Sequence, residues 1–363
     1  MNKIKKDELE AALRMAAAVA KPETSWGNKI LLMPQAGLIS HGINTRLRIG
    51  LPKSQVASPM LLEEDVLRGL VGSLDEEITF SVGKTTVELV SGSFRSKLTL
   101  FDPTMYPEPP KEEQGTWTEF SLEDLQTRVR EVEFAISDDV DHSSKSALTG
   151  LILKASEGNL QLIGARDPLV ASSKMTGLPT TFAMDCALPR EICQLLLRLP
   201  GEKLMVRSGD GVLKLKAGDV RVWCSEIRGA APDFAAVQER ARPTKITVDK
   251  TVLKRALAQV SVFRDRSSRA LTLHITKNQL KTSIISQSSG KATATVPISA
   301  SEGFEQPFAI GADMGYLQTM VDKITADPNL VLQIGESREL IAVEDAIKLY
   351  ITVTSVPDKD FED

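Results

Sequence analysis

Apolar positions along the chain follow two alternating rhythms. Short stretches with apolar residues three and four apart predict amphipathic helices. Each is followed by stretches of alternating apolar residues, which predict strands. Leu9, Leu13 and Ala16–Ala17 keep helical spacing near the start of the chain. Leu125, Val129, Val132 and Ile136 repeat it, as do Val252, Leu253, Leu257 and Val260. Helix starts fall near Asp7, Glu63, Ser121, Pro189, Asp249 and Asp313, a period of about sixty residues repeated six times. Ser121 followed by Asp124 reads as a capping box, and the fixed φ of Pro189 suits a first helical turn. Alternation is clearest in Leu204–Arg207 and Val212–Lys216. Turn residues at Val82-Gly83-Lys84, Ser208–Gly211 and Gly335-Glu336-Ser337 separate strand pairs.

The six units are of two kinds, and one of each makes a domain. Related punctuation closes each pair: Met105-Tyr106-Pro107, Ala231-Pro232-Asp233-Phe234 and Val356-Pro357-Asp358. The charged, Pro-rich stretch 107–115 and the stretch 238–245 read as linkers. The expectation is three tandem domains, 1–112, 116–240 and 243–363, each with two helices packed on antiparallel sheet, an α+β layout.

Composition narrows the function. The chain has 363 residues, 42% of them hydrophobic but only 5% aromatic, so the cores are mainly aliphatic. A formal charge of −4 argues against attachment to nucleic acid through bulk positive charge, and leaves a local basic surface open. Cys186, Cys193 and Cys224 form no CxxC and suit a reducing compartment as buried thiols. The basic start MNKIKK runs into an acid-interrupted helix whose apolar run Met15–Ala20 is too short to span a bilayer. A mature helix is expected there, with no signal peptide and no membrane attachment.

Catalytic constellations are missing. Gly83-Lys84-Thr85 resembles the end of a phosphate-binding loop, but the earlier glycine is replaced by Ile78, and the flanking alternation favours a hairpin turn. His41, His142 and His274 fall in different repeats without zinc-ligand spacing. Asp138, Asp139 and Asp141 crowd one loop, where a solvated loop is the simpler reading than a metal site. No GxSxG occurs. A non-catalytic protein without cofactor or metal is expected.

Basic residues recur on the helices: Arg14, Arg68, Arg128, Arg130, Arg190, Arg198, Lys254, Arg255 and Lys323. On any single helix they fit a solvated outer face. The loops after the first helix of each domain add Lys21, Lys29, His142, Lys145, Arg264, Arg266 and Arg269. Arginines beside small hydroxyl residues, as in Arg264–Arg269, suit phosphate contact without base reading.

Three tandem domains of paired helix-and-sheet halves resemble the bacterial-type DNA polymerase III beta subunit, the sliding clamp, over essentially the whole chain. The local matches are Ala147-Leu148-Thr149-Gly150, Ala231–Phe234 followed by Val237, VLKRALAQVSVF at 252–263 and KNQLKTSI at 277–284. Their order and spacing carry the likeness. The resemblance implies a head-to-tail homodimer, a closed ring with helices lining a pore around duplex DNA. It implies a cytoplasmic, nucleoid-associated processivity factor that tethers the DNA polymerase and meets its clamp loader through short peptide motifs. Carried over residue by residue, DNA contacts fall to Arg14, Lys21, Arg128, Lys145, Arg264, Arg266 and Arg269. A partner-peptide cleft falls to Leu148, Gly164, Leu169, Pro232, Val237, Ile351 and Val353, and the dimer interface to Leu98, Leu100, Val262 and Phe263.

The sequence also departs from that family. A Thr-Asp-Gly-His-Arg-Leu segment usual in domain two is Gly164-Ala165-Arg166-Asp167-Pro168-Leu169 here. The usual Met-Pro-Met-Arg-Leu tail is replaced by Pro357–Asp363. Both changes border the implied cleft, so a different partner motif is expected, and an origin in a phage or other mobile element fits them. A ring-shaped structural protein that never encircles DNA is the alternative of another class; an enzyme is a third.

Overall fold

The computed structural model describes residues 2–20, 26, 28–107, 115–137, 147–227, 234, 241–264, 270–324, 328–335, 339–344, 347–352 and 354–355. Helices stand at the six places the periodicity marks: α1 (Lys6–Val19), α2 (Glu64–Val71), α3 (Leu122–Val132), α4 (Glu191–Leu196), α5 (Lys250–Ser261) and α6 (Met314–Lys323). Side-chain oxygens stop the strands and start several of them. Asp249 accepts from the Val252 amide at 2.8 Å, and Asp313 from Gly315 and Tyr316 at 2.8 and 3.1 Å. Ser121 accepts from the Asp124 amide at 3.3 Å, which bears out half of the capping box. The other half fails, because the Asp124 carboxylate turns to Arg128.

Two sequence readings need correction. Pro189 does not open a helix: it ends the strand Met184–Pro189, and α4 begins two residues later behind Arg190. The linker at 238–245 is shorter than read, because Thr244 already pairs with Ile334 as the first residue of the strand Thr244–Asp249. A third feature was not read at all. Each helix is fed directly by a short strand: Asn2–Lys5, Met60–Glu63, Thr118–Ser121, Met184–Pro189, Thr244–Asp249 and Phe308–Asp313. The repeat unit is therefore strand, helix, strands.

The chain separates into two compact units, residues 1–130, 150–160 and 176–229 in the first, and 131–149, 161–175 and 230–363 in the second. The first contains a four-stranded antiparallel sheet ordered Asn2–Lys5, Glu77–Val82, Thr86–Ser91, Phe94–Thr99. It also contains an eight-stranded sheet ordered Met60–Glu63, Lys29–Met33, Gly37–His41, Thr45–Ile49, Val220–Ser225, Val212–Ala217, Lys203–Gly209, Thr118–Ser121. One face of this sheet is apolar. Leu38, Leu47, Val222, Leu213, Leu215, Leu204 and Val206 are buried there. Helix α1 lies on the strands Gly37–His41 and Thr45–Ile49 through Leu9, Leu13 and Ala16, and also touches α2 and α4. Each leucine buried this way stabilises by roughly 1.5–3 kcal/mol.

At one side of that sheet Tyr106 closes a small aromatic cluster. Its ring meets His41 at 5.0 Å and Trp26 at 5.9 Å, both edge to face, and its hydroxyl donates to the Lys29 carbonyl at 3.0 Å. His41 is buried with its Nε2 unpartnered, and burial, then the charge of Arg46, lower its pKa to about 4.

In the second unit a long antiparallel order runs Leu169–Thr176, Ile347–Thr352, Glu339–Glu344, Asn329–Ile334, Thr244–Asp249, Gly290–Glu302, Gln279–Ser286, Ala270–Ile275, Phe308–Asp313, Thr354–Ser355. Helices α5 and α6 pack together beside it, burying Leu253, Leu257 and Val260 with Leu317, Met320 and Val321. Among the described residues no helix is long and apolar enough to cross a membrane, a statement that leaves strand-built barrels aside.

Candidate nucleic-acid interface

In the first unit the helices present arginines away from their apolar stripes. Helix α1 buries Leu9, Ala12, Leu13 and Ala16, which leaves Arg14 exposed. Helix α2 buries Leu67 and Val71 and leaves Arg68 exposed, and Arg198 follows α4 on its solvent side. The three guanidiniums surround one open groove of about 570 Å³ floored by Ala11, Ala17 and Pro200. Small floor residues let an extended ligand approach the helices. The groove is also braced: Arg198 donates from Nη1 to the Arg14 carbonyl at 2.8 Å.

Helices α1, α2 and α3 each place a carboxylate one turn before an arginine. Glu10 pairs with Arg14, Glu64 with Arg68 at 2.7 Å, and Asp124 of α3 with Arg128 at 3.0 Å. An acid four residues before a base is the favourable helical order, and exposed pairs of this kind stabilise by at most about 1 kcal/mol. Glu64 is the exception in burial, and desolvation raises its pKa although Arg68 pulls it down. The resulting lining is positive but already partly satisfied. It suits weak phosphate contact that reads no base.

No family model matches the chain. The beta sliding clamp of Chlamydia pneumoniae is 22% identical over 213 residues, 56% of this chain and 56% of that protein. That of Chlamydia muridarum is 20% identical over 195 residues. The chain thus spans about half the length of the curated relatives it matches. The solved DNA polymerase III beta subunit of Thermotoga maritima superposes with a TM-score of 0.88 at 17% identity, covering 98% of this chain and 99% of that one. The sliding clamp of Bacillus subtilis gives 0.86 at 16% identity over 98% and 99%. The fold is that of the sliding clamps. The resemblance read from the sequence therefore holds at the level of architecture, with α and β elements in the clamp arrangement.

Within the clamp fold, the described members of the expected DNA set stand on or beside helices. Arg14 lines the groove, Arg128 is half-buried against Asp124, and Arg264 is exposed just beyond α5. Lys21, Lys145, Arg266 and Arg269 lie outside the described residues, as do His142 and the Asp138–Asp141 run. Arg68 and Arg198 were noted on their helices in the sequence, but only the packing of α1 against α2 and α4 joins them to Arg14.

Of the expected peptide cleft, Leu169 and Ile351 are opposite one another in the ladder and fully buried. Leu148 is half-buried, and its carbonyl accepts from the Ser137 amide at 3.1 Å. Gly164 meets the end of α3 so closely that a Cβ there would sit 2.2 Å from the Val132 carbonyl oxygen. No other residue fits that approach. Beside it Arg166 lies over the Tyr316 ring at 5.3 Å. Pro232, Val237 and Val353 lie outside the described residues, with the tail 356–363.

Two of the expected interface residues, Leu98 and Leu100, sit at or beside the last strand of a sheet among the described residues. Strand Phe94–Thr99 ends the four-stranded sheet, with Leu98 buried and Leu100 half-buried. Val262, just past α5, is 77% exposed, and Phe263 is half-buried. The three cysteines are all buried, and burial pushes Cys186 and Cys224 up to about 12, which leaves both as unreactive thiols.

Proposed function

We propose that this chain is a divergent DNA sliding clamp: a non-catalytic processivity factor that encircles duplex DNA without reading sequence and tethers a DNA polymerase. The observation that carries this reading is the full-length likeness of fold to DNA polymerase III beta subunits, 98% of the chain at a TM-score of 0.88. The groove of Arg14, Arg68 and Arg198 supports it, because arginines such as Arg14 and Arg68, partly neutralised by Glu10 and Glu64, hold a phosphate backbone loosely enough for it to slide.

In this reading the chain has three domains, 1–112, 116–240 and 243–363, and two copies close head to tail. The edge strand Phe94–Thr99 of one copy meets Val262 and Phe263 of the other, extending a sheet across the junction around an aromatic anchor. Arg14, Lys21, Arg128, Lys145, Arg264, Arg266 and Arg269 face the DNA. Leu148, Gly164, Leu169, Pro232, Val237, Ile351 and Val353 form the cleft for the peptide motifs of polymerase and loader, in the cytoplasm of the cell or of a phage's host. Because Leu169 and Ile351 are fully buried, docking there needs the neighbouring segments to part.

The test is topological. Protein loaded onto nicked circular duplex is expected to stay bound through gel filtration and to run off when the circle is linearised. Equal loss from circle and line, with closed rings visible in negative stain, would leave a structural ring and remove the clamp.

A further inference from the structure

The eight-stranded sheet has a second face, turned away from the helices, and the register puts cations on it in two rows. The first row runs Arg46, Trp223, Lys214, Arg207 across four neighbouring strands. The second runs Arg48, Arg221, Lys216, Met205, Glu119 across five. Among the described residues of these rows the acid is Glu119, at the far end, and it holds Lys203 at 2.9 Å. Arg48 stands directly opposite Arg221, Arg221 opposite Lys216, and Lys214 opposite Arg207. Like charges facing each other across a ladder destabilise a sheet. The two rows gather six cations on one face of the sheet, a charge complementary to an anionic ligand.

Two of the guanidiniums are held in place. Arg221 donates to the Gly218 and Val220 carbonyls at 2.5 and 3.0 Å, and Arg48 to the Ala36 carbonyl at 3.3 Å. Two hollows adjoin on this face and share Lys214 and Trp223. One, of about 310 Å³, is bordered by Ile43 and Arg46, with Asp210 at its rim. The other, of about 80 Å³, reaches Trp117, Lys216 and Arg221. Trp223 is half-buried in the middle of the track, with its cationic neighbours on both sides.

We propose that this outer face binds single-stranded nucleic acid, with phosphates along the two cationic rows and unpaired bases on Trp223 and Trp117. The indoles decide between ligands of the same charge. A duplex hides its base faces and would leave the tryptophans idle, and an acidic peptide offers no ring to stack. Cationic tracks with interleaved aromatics bind single strands with little sequence preference. The proposal stands apart from ring closure, since a linear oligonucleotide needs no encirclement.

The test titrates the full-length chain with labelled oligo-dT, following anisotropy and tryptophan quenching over a range of salt. Expected are quenching and a log–log salt slope near −0.7 for each phosphate contact. Trp223→Leu should weaken binding roughly tenfold. Arg46→Glu with Lys214→Glu should abolish most binding and flatten the slope by about 0.7 per cation removed. Should charge reversal disturb folding, Arg46→Gln with Lys214→Gln carries the same test at similar side-chain size. Wild-type affinity and slope in a folded double variant would overturn the proposal. So would displacement of the oligonucleotide by polyglutamate together with indifference to Trp223→Leu, which would assign the face to acidic polypeptides.

Discussion

The helix face and the sheet face of the first unit handle positive charge in opposite ways. On the helices Arg14, Arg68 and Arg128 each follow a carboxylate by one turn and share their charge with it. On the sheet Arg48, Arg221 and Lys216 stand in a row with one another. The helical periodicity allows a chain to place acid and base together within five residues. A ladder instead brings together residues from distant segments, so like charges meet only if both segments carry them. The first arrangement gives a lining whose positive charge is partly offset by its own carboxylates. The second collects cations from distant segments on one surface.

The comparison rests on a core common to both faces, and the largest expected effect comes from opening it. Leu47, fully buried beneath α1, lies between Arg46 and Arg48 in sequence. Leu47→Ala should cost about 2–5 kcal/mol in urea unfolding and weaken function on both faces together. Loss on one face alone would mean that the two are not built on one layer.

Next is the acid response of His41. Its folded pKa near 4 lies below the ordinary histidine value, so the unfolded chain takes up the proton first. The stability this neutral imidazole contributes is present above about pH 6.5 and is lost as pH falls to about 4, at most about 3 kcal/mol. His41→Phe should remove that part of the pH dependence in a chemical-denaturation series. Arg46→Gln should move the His41 titration, followed by NMR, back toward the ordinary value. An unmoved titration would show that the sheet-face charge does not reach this cluster.

Removing single cations should separate the faces by sign. Arg68→Ala leaves the buried Glu64 without its cation and should destabilise by about 1–3 kcal/mol. Lys216→Glu, opposite Arg221, should stabilise by about 0.2–1 kcal/mol. Thermal melts of the two variants moving in the same direction would erase the distinction.

Much of the helix face was legible in the sequence. The 3.6-residue rhythm placed six helices and set Arg14 off the apolar stripe, and the Ser121 cap was visible as a pattern. The strands that feed the helices were missed because runs such as Asn2–Lys5 and Thr118–Ser121 are four residues long, too short for alternation to stand out. The sheet face was not legible. Lys214 and Lys216 were noticed only as the polar half of an alternating strand. That they align with Arg46 and Arg48 depends on the pairing of Thr45–Ile49 with Val220–Ser225, which no local pattern announces. The expected cleft shows the converse. Leu169 and Ile351 were placed by resemblance, and the ladder does set them side by side, but their complete burial follows from neighbours that alternation cannot name.

The pairing of Thr45–Ile49 with Val220–Ser225 also has a consequence for how the chain folds. Five residues near the start wait for five that emerge more than a hundred and fifty positions later, so the sheet cannot close until well past the middle of synthesis. A fragment ended near residue 112 would present Thr45–Ile49 as a bare edge, ready to zip onto another copy. Supplying the segment 116–227 on a second polypeptide should rescue it, because the missing neighbour is a strand, and a strand can be donated in trans.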